Sequence, residues 1–242
     1  MVYLPPNIAG YVGADHVAML LATDAWRAQK PTVSLDIGTN TEISLAADGQ
    51  LVSCSCASGP AFEGAHIHAG MRAAPGAVEY VQILPRADTG DGVHVQTIGG
   101  KPAVGICGSG ILDAVAELRA AGIVQRTGRF KMDHPRIVPW DGGGAFLLAP
   151  AAATGNVPDL LVTRRDVNEI QLAKGAIRAG VEVLLLEMGL TVQDIDTFIV
   201  AGAFGTYLDL ESAVHIGMFP PLPLERFKQV GNAAGTGARQ ML

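Results

Sequence analysis

Three stretches of the chain carry apolar side chains three or four residues apart, which is the period of an α-helix with one buried face. The first stretch predicts a helix over residues 14–28. The second predicts a helix over residues 111–121, closed by Gly122. The third opens with a capping-box pattern at residues 163–166 and predicts a long helix that ends at Gly189.

Shorter stretches rich in β-branched and apolar residues predict strands. Residues 32–37, 42–46 and 51–54 predict three consecutive strands, and Asp48-Gly49 is a strong hairpin turn between the last two. A predominantly apolar stretch at residues 196–201 predicts a buried strand. Strands interleaved with long helices predict an α/β fold in which the first three strands form a meander.

The remaining segments carry weaker patterns. Pro60 lies near the start of residues 58–65 and suits the entry of a helix. Residues 126–158 are rich in Gly and Pro and predict irregular loops with short strands. A helix is expected near residues 208–216, and residues 231–238 predict a turn into a truncated helix. We treat the chain as a single unit with inserted loops.

Composition narrows the class of protein. Hydrophobic residues make up 49% and charged residues 17% of the 242 residues, which excludes a disordered chain. The formal net charge is −6 and the basic residues are scattered, so we expect no binding to nucleic acid or to an anionic membrane. No apolar run approaches the roughly 20 residues of a membrane-spanning helix, and the first residues lack the pattern of a secretory signal. We expect a cytoplasmic protein whose partners are small molecules and proteins.

Cysteine and histidine give little evidence for a metal centre. The three cysteines, Cys54, Cys56 and Cys107, lack the spacing of a four-thiolate site, and their odd number in a chain of this size argues against a disulfide framework. Cys54 and Cys56 would share one face of a strand, so we favour core packing for them. His66 and His68 form a His-x-His pair without a third ligand nearby, and we favour loop histidines over metal ligands.

The turn after the first predicted strand is the first candidate for chemistry. Residues 36–40 (Asp-Ile-Gly-Thr-Asn) place a carboxylate at a strand end, followed by a glycine and by hydroxyl and amide groups. Such a turn can hold phosphate oxygens, and Asp36 could face a hydrated magnesium ion. The alternative is an ordinary hairpin whose Gly and Asn only supply turn geometry.

Two further candidates lie later in the chain. Residues 201–205 (Ala-Gly-Ala-Phe-Gly) follow a buried strand, where open α/β sheets bind their ligands, although strands often leave a sheet on glycine. Lys174 and Arg178 lie four apart on one face of the long predicted helix and could flank an adenine or its phosphates. The alternative for this face is simple solvation.

In their order along the chain, these strings resemble the actin-like ATPases, which include sugar kinases, Hsp70 and actin. Residues 36–40 resemble the second phosphate loop, 174–178 the adenine-flanking helix, 201–205 the adenosine loop and 231–234 the terminal connecting helix. Four more strings resemble the reductive activators of corrinoid proteins, and together they span almost the whole chain; they lie at residues 10–15, 59–65, 70–76 and 105–110.

The resemblance implies a ribonuclease H-like, actin-like α/β fold with a mixed sheet and flanking helices. Residues 1–30 would form an inter-subdomain helix and residues 31–242 a ribonuclease H-like subdomain with inserted loops. ATP and magnesium are the implied ligands. Asp36 is the implied metal ligand and catalytic group, and Glu63 could position water. The implied nucleotide-binding residues are Gly38, Thr39, Asn40, Lys174, Arg178, Gly202, Ala203, Phe204 and Gly205.

The implied function is ATP-dependent return of an inactive cobalt(II) corrinoid, carried by a protein of a methyltransferase system, to cobalt(I). The electron would come from a [2Fe-2S] cluster in an N-terminal ferredoxin-like domain, and a homodimer is expected. This chain has no cysteine cluster and no second Asp-x-Gly-Thr turn, which we expect upstream of Met1. We therefore expect a piece of a longer protein with one fold half largely missing, a half-formed ATP site and little activity alone.

Two other interpretations stay open. Activators of 2-hydroxyacyl-CoA dehydratases or benzoyl-CoA reductases share the fold and bind an iron–sulfur cluster between subunits, which would require a suitably placed cysteine pair. A binding module that kept the fold and lost turnover is the non-enzymatic alternative.

Overall fold

The computed structural model describes residues 4–84, 92–153, 158–202 and 204–242. These residues form two compact units. The first unit comprises Met1–Ser58, Lys174–Leu210 and Gly217–Leu242, and the second comprises Gly59–Ala173 and Glu211–Ile216.

Runs of strands are interleaved with single helices along the chain, as the sequence pattern predicts for an α/β protein. The helices are α1 (Ala14–Thr23), α2 (Gly108–Ala120), α3 (Arg164–Glu187), α4 (Leu210–His215) and α5 (Ala233–Gln240). The strands are β1 (Thr32–Ile37), β2 (Thr41–Ala47), β3 (Gln50–Cys56), β4 (Ala77–Ile83), β5 (Val93–Thr97), β6 (Gly105–Ile106), β7 (Ile137–Trp140), β8 (Gly143–Ala149), β9 (Leu160–Thr163), β10 (Thr197–Ala201) and β11 (Phe227–Gly231). Within the described residues, no helix is both long and apolar enough to cross a membrane.

A five-stranded sheet in the order β11-β10-β1-β2-β3 forms the centre of the first unit. Strands β1, β2 and β3 pair antiparallel, which confirms the predicted meander. Strands β10 and β11 are parallel to β1. Asp48 and Gly49 join β2 to β3 with φ values of 49° and 78°, the left-handed pair that a tight two-residue hairpin requires. The sheet is therefore mixed, as the resemblance implies.

Helix α3 begins where the capping box predicts. The backbone N–H of Thr163 donates to the Asp166 carboxylate at 2.7 Å, and the N–H of Asp166 donates to the Thr163 hydroxyl at 3.2 Å. Its residues 164–173 belong to the second unit and the rest to the first. In the first unit, Gly180 faces Cys54 and Cys56, whose sulfur atoms lie 4.0 Å apart on one face of β3. The predicted shared face of these cysteines is confirmed.

The helix predicted over residues 14–28 is shorter than expected. Helix α1 ends at Thr23 because Asp24 adopts a left-handed conformation with φ 56°, and its N–H bonds back to the carbonyl of Leu21. A single 3-10 turn follows over Ala25–Arg27. Asp tolerates this backbone region better than most residues, so the helix can end at Asp24. The apolar pattern continues to Trp26 and does not indicate this end, which is why the predicted helix was too long.

Other predicted elements shift for packing reasons. Helix α2 starts at Gly108 rather than at residue 111, because its glycines allow close packing on β4. A Cβ on Gly110 would lie 2.1 Å from the carbonyl oxygen of Val78. The predicted helix entry near Pro60 is a single turn over Ala61–Glu63. Strand β11 was not predicted, because its exposed Lys228 and Gln229 interrupt the apolar pattern.

The second unit contains two three-stranded sheets, ordered β5-β4-β6 and β7-β8-β9. Strands β7 and β8 form a hairpin within the region predicted as loops and short strands, and Asp141 and Gly142 take its left-handed turn positions. The predicted division of the chain at residue 30 stays a prediction.

Candidate functional site

The carboxyl ends of β1, β10 and β11 meet at one edge of the five-stranded sheet, since the three strands run parallel. Asp36, near the end of β1, pairs with Ala201, the last residue of β10. The predicted turns at residues 36–40 and 201–205 therefore follow neighbouring strands at the edge where open α/β sheets bind ligands. Ala203, one of the predicted nucleotide-binding residues, lies outside the described residues.

Gly202 packs directly against Asp36. A Cβ on Gly202 would lie 2.9 Å from Asp36 Oδ1 and 2.8 Å from the carbonyl oxygen of Ile37. Its φ of 94° is also a value that residues with side chains rarely adopt. The Gly202 N–H donates to the carbonyl of Gly231 at 3.1 Å, which ties the ends of β10 and β11 together. The two predicted turns thus form one surface, which only glycine at position 202 permits.

The carboxylates at this edge are partly buried. Burial raises the pKa of Asp36, and the nearby carboxylate of Asp15 raises it further. Burial also raises the pKa of Glu42, which pairs with Asp36 across β1 and β2. Among the described residues, neither Asp36 nor Glu42 forms an ion pair with a Lys or Arg. A bound cation would therefore relieve the mutual repulsion of these groups.

Asp36 fits a magnesium ion that is bound mainly by phosphate and water. Within the described part of the chain, no three His, Cys, Asp or Glu side chains are grouped as ligands of a metal ion. A magnesium ion that accompanies a nucleotide needs only one or two protein carboxylates, since phosphate oxygens and water complete its octahedron. The single half-buried carboxylate of Asp36 meets that requirement.

Ser58 holds the turn at residues 38–40 and was not among the predicted site residues. It is only 3% exposed. Its hydroxyl lies 3.1 Å from the carbonyl oxygen of Gly38 and 2.8 Å from the Thr41 hydroxyl. Thr41 pairs with Cys56 at the end of the meander, so the chain just beyond β3 must return to this turn. The hairpin register, which the Asp48-Gly49 turn sets, could therefore have indicated that the chain near Ser58 lies beside this turn.

Gln229 has the corresponding role on the other side of the site. Its side-chain amide donates to the carbonyls of Gly205 at 2.7 Å and Leu208 at 2.8 Å. Gly205 itself turns tightly, because a Cβ there would lie 2.5 Å from the carbonyl oxygen of Ala201. Phe204 is partly buried in the same loop. Sequence reasoning missed Gln229 together with β11, which carries it.

Lys174 and Arg178 lie in the first unit, on α3. The Lys174 ammonium nitrogen lies 4.0 Å from the position of a Cβ built on Gly217. The Arg178 guanidinium donates to Glu182 at 2.7 Å and to the carbonyl of Phe219 at 3.3 Å. Arg178 would have to exchange these partners to reach a nucleotide. The adenine-flanking role of both residues stays a prediction.

Glu63 lies in the second unit, exposed on the helical turn Ala61–Glu63. Asp36 and the predicted nucleotide-binding residues lie in the first unit. The water-positioning role of Glu63 therefore stays a prediction.

The mixed sheet and the glycine turns at its strand ends define an α/β domain with a candidate phosphate-binding edge. Residues 30–242 match the family model described as the C-terminal domain of RACo, the ASKHA domain. The chain belongs to this family, and the predicted actin-like fold is confirmed.

Relatives with described activities agree with this assignment. The corrinoid activation enzyme RamQ of Eubacterium limosum is 36% identical over 98% of this chain and 40% of its own length. The [Co(II) methylated amine-specific corrinoid protein] reductase of Methanosarcina barkeri is 30% identical over 100% of this chain and 44% of its own length. A solved structure of a reductive activator for a corrinoid, iron–sulfur protein superposes with a TM-score of 0.90 at 42% identity, over 99% of this chain and 38% of that one. The chain therefore spans about two fifths of the length of these relatives.

Proposed function

We propose that this chain is the ATP- and magnesium-binding domain of a reductive activator that returns a cobalt(II) corrinoid on a methyltransferase partner protein to cobalt(I). The observation that carries the nucleotide part is the contact of Gly202 with Asp36 at the carboxyl ends of β10 and β1. The corrinoid part rests on the relatives, whose names describe corrinoid activation and Co(II) reduction.

Each group at the sheet edge has a task in this proposal. Asp36 would hold the hydrated magnesium ion, and its raised pKa reflects a carboxylate that a cation would stabilise. The turn at residues 38–40, held by Ser58, presents N–H and hydroxyl donors to phosphate oxygens. Gly202 and Gly205 let the backbone after β10 fold closely onto Asp36 and Ala201, which shapes the end of the sheet where the adenosine would lie. Lys174 and Arg178 flank the adenine.

ATP would act here by changing conformational populations. One electron converts cobalt(II) to cobalt(I), and in the proposal it comes from a [2Fe-2S] cluster in another domain of the longer protein. A nucleotide that binds two conformations with different affinity can shift their equilibrium, and only by that difference. The proposed partners are the corrinoid protein and a second copy of the activator.

The cysteines of this chain give less support to the alternative function, an activator of 2-hydroxyacyl-CoA dehydratases or benzoyl-CoA reductases. Such proteins need thiols that can bind a cluster between subunits. Cys107 is buried, with its thiol directed to the carbonyl of Val78 at 3.2 Å. Cys54 and Cys56 lie against Gly180 of α3 in the same unit. Cys107 is thus buried, and Cys54 and Cys56 are partly covered by α3 of their own unit.

Calorimetric titration with ATP and magnesium tests the nucleotide part. It should be made on this chain and on a form extended upstream into the region that the longer relatives possess. In whichever of these two forms binds ATP, we expect Asp36→Ala to weaken the binding of ATP and magnesium by at least tenfold. Asp133→Ala, which removes an exposed carboxylate from the second unit, is the matched control and should bind as the parent does.

Two outcomes contradict the proposal at different levels. Equal affinity of the Asp36→Ala variant and its parent would show that the sheet edge is not the nucleotide site. If binding is normal but the extended form, supplied with an electron donor, leaves the electron paramagnetic resonance signal of a cobalt(II) corrinoid protein unchanged, the corrinoid assignment fails while the nucleotide site stands.

A further inference from the structure

The second unit contains a cavity of about 880 Å³, and every residue that lines it belongs to that unit. Three segments line it: the loop at residues 66–68, the turn between β7 and β8 at residues 140–144, and the first turn of α3. Cavities of a few hundred to about 1,000 Å³ are the usual size for small organic ligands. None of its lining residues belongs to the proposed nucleotide site.

Two arginines at the start of α3 line this cavity without a partner. Arg164 and Arg165 are both exposed, and neither side chain forms an ion pair or hydrogen bond with any described residue. They occupy the first turn of a 24-residue helix, where the helix dipole already favours negative charge. Two adjacent unpaired cations are unfavourable there for stability. An anion bound between them would relieve this cost.

The neighbouring carboxylates are already engaged. Asp166 accepts backbone hydrogen bonds from Thr163 and from His68, both at 2.7 Å. Glu169 lies 3.7 Å from the ring nitrogen Nδ1 of His66. Neither of these two carboxylates lines the cavity, and Asp141 in the hairpin turn is the one carboxylate among the described lining residues. The lining therefore carries two arginines against one carboxylate.

An aromatic pair supplies the apolar wall. The rings of His68 and Trp140 meet edge to face, with 4.7 Å between their centroids and 62° between their planes. Trp140 keeps 40% of its surface exposed. The indole packs against the histidine and still offers surface on which a flat ring can stack.

We propose that this cavity binds a small organic anion that carries a phosphate group beside a flat ring. The two guanidinium groups and the N-terminal end of α3 match the two negative charges of a phosphate monoester. Trp140 receives the ring, and the amide of Asn168 lies in the same lining for a further polar contact. This site is additional to the proposed ATP site and does not depend on it.

Phenyl phosphate is the probe that tests the proposal, with Trp140 as the reporter. The experiment uses the full chain carrying Trp26→Phe, which leaves Trp140 as the single tryptophan. We expect a saturable change of the indole fluorescence. The double variant Arg164→Gln, Arg165→Gln should bind at least tenfold more weakly. Arg126→Gln, Arg129→Gln removes the same charge from exposed positions of the same unit outside the lining, and should bind as the parent does.

Three comparisons decide the ligand class and the location. Inorganic phosphate should bind at least fivefold more weakly than phenyl phosphate, and benzyl alcohol should give no saturable signal at the same concentrations. Asp36→Ala should leave phenyl phosphate binding unchanged. Equal loss in the two double-arginine variants, a saturable signal with benzyl alcohol, or loss of binding in Asp36→Ala would each overturn the proposal. Failure of the ATP titration would leave it intact.

Discussion

His16 is a fully buried histidine on α1 with one hydrogen bond to the sheet. Its Nε2 lies 2.7 Å from the Ser44 hydroxyl, which in turn lies 2.6 Å from that of Ser53. Its Nδ1 has no partner within the described structure. Burial lowers the pKa of His16 from 6.5 to about 4, although the charge of Asp15 opposes this shift. The histidine is therefore neutral at physiological pH, and its protonation would disrupt this part of the core.

A pH-dependent loss of stability follows from this pKa. Unfolded His16 takes up its proton near pH 6.5 and folded His16 only near pH 4, so the unfolded state binds more protons between these values. The stabilisation is complete above about pH 7 and falls by about 3 kcal/mol as the pH drops toward 4. Urea unfolding at a series of pH values should show a smaller fall in His16→Gln.

The comparison with His16→Gln isolates one group. Asp36, Glu42 and Asp166 have raised pKa values, so their contributions change in the opposite direction as the pH falls. These carboxylates are present in both proteins and cancel in the difference. His94→Gln, at an exposed position on β5, should retain the full pH dependence. Parallel curves for the parent and His16→Gln would contradict the argument.

Local sequence indicated part of the site, and tertiary contacts explain the part that it did not. Asp36 and Gly202 follow strands with strong apolar patterns, so their strand-end positions could be predicted from neighbouring residues. Ser58 and Gln229 bond to carbonyls 20 and 24 residues away. The register of the hairpin brings the chain near Ser58 back to this turn, but the residues next to Ser58 and Gln229 do not indicate which carbonyl each side chain contacts. Neither residue was therefore predicted.

Among the elements, α3 shows how one glycine sets a packing distance. A Cβ on Gly180 would lie 2.4 Å from the sulfur of Cys56 and 2.8 Å from Cδ1 of Ile43. The helix backbone therefore lies directly on the face of β2 and β3. The apolar period predicted the helix and its buried face, whereas this close approach depends on residues more than a hundred positions earlier in the chain.

Gly180→Ala should destabilise the first unit by about 1 to 3 kcal/mol, because the added methyl group has no space. Gly175 lies one and a half turns earlier on the same helix, exposed and with no atom within 4 Å of an added Cβ. Gly175→Ala should stabilise the helix by up to about 1 kcal/mol through propensity alone. Urea unfolding of the two variants checks the opposite signs. A Gly180→Ala variant as stable as the parent would mean that α3 is not packed this closely.

Element prediction succeeded where the pattern is local. Strand β1, the Asp48-Gly49 turn and the start of α3 depend on adjacent residues, and all three are confirmed. Strand β11 has only short apolar segments, and it is a strand because β10 lies beside it. The start of α2 depends on the contact of Gly110 with β4. Neither contact could be predicted from the pattern of a single segment.

For the whole molecule, the two proposed ligands should act on different units. ATP with magnesium should slow amide hydrogen exchange at residues 36–40, 204–208 and 231–235, all in the first unit. Mass-spectrometric exchange of the form that binds ATP measures this directly. Unchanged exchange in all three segments after ATP and magnesium are added would contradict the proposed nucleotide site. Protection at residues 61–65 would support the predicted role of Glu63.

Phenyl phosphate should give the complementary pattern in the second unit. Exchange should slow at residues 66–68, 140–144 and 164–168, which line the cavity. The Arg126→Gln, Arg129→Gln variant should show the same protection as the parent. Protection in the first unit instead would assign the ligand to the nucleotide site.

Strand β1 pairs with β10, which is synthesised much later. Thr32 of β1 pairs with Thr197 of β10, so at roughly 5–20 residues per second the first strand emerges on the order of ten seconds or more before its parallel neighbour. During that interval the nascent meander has an open hydrogen-bonding edge along a nearly all-buried strand, which favours pairing with other chains. Folding of the first unit during translation therefore cannot finish before most of the chain has been made, and we expect its yield to depend on chaperones that cover this edge.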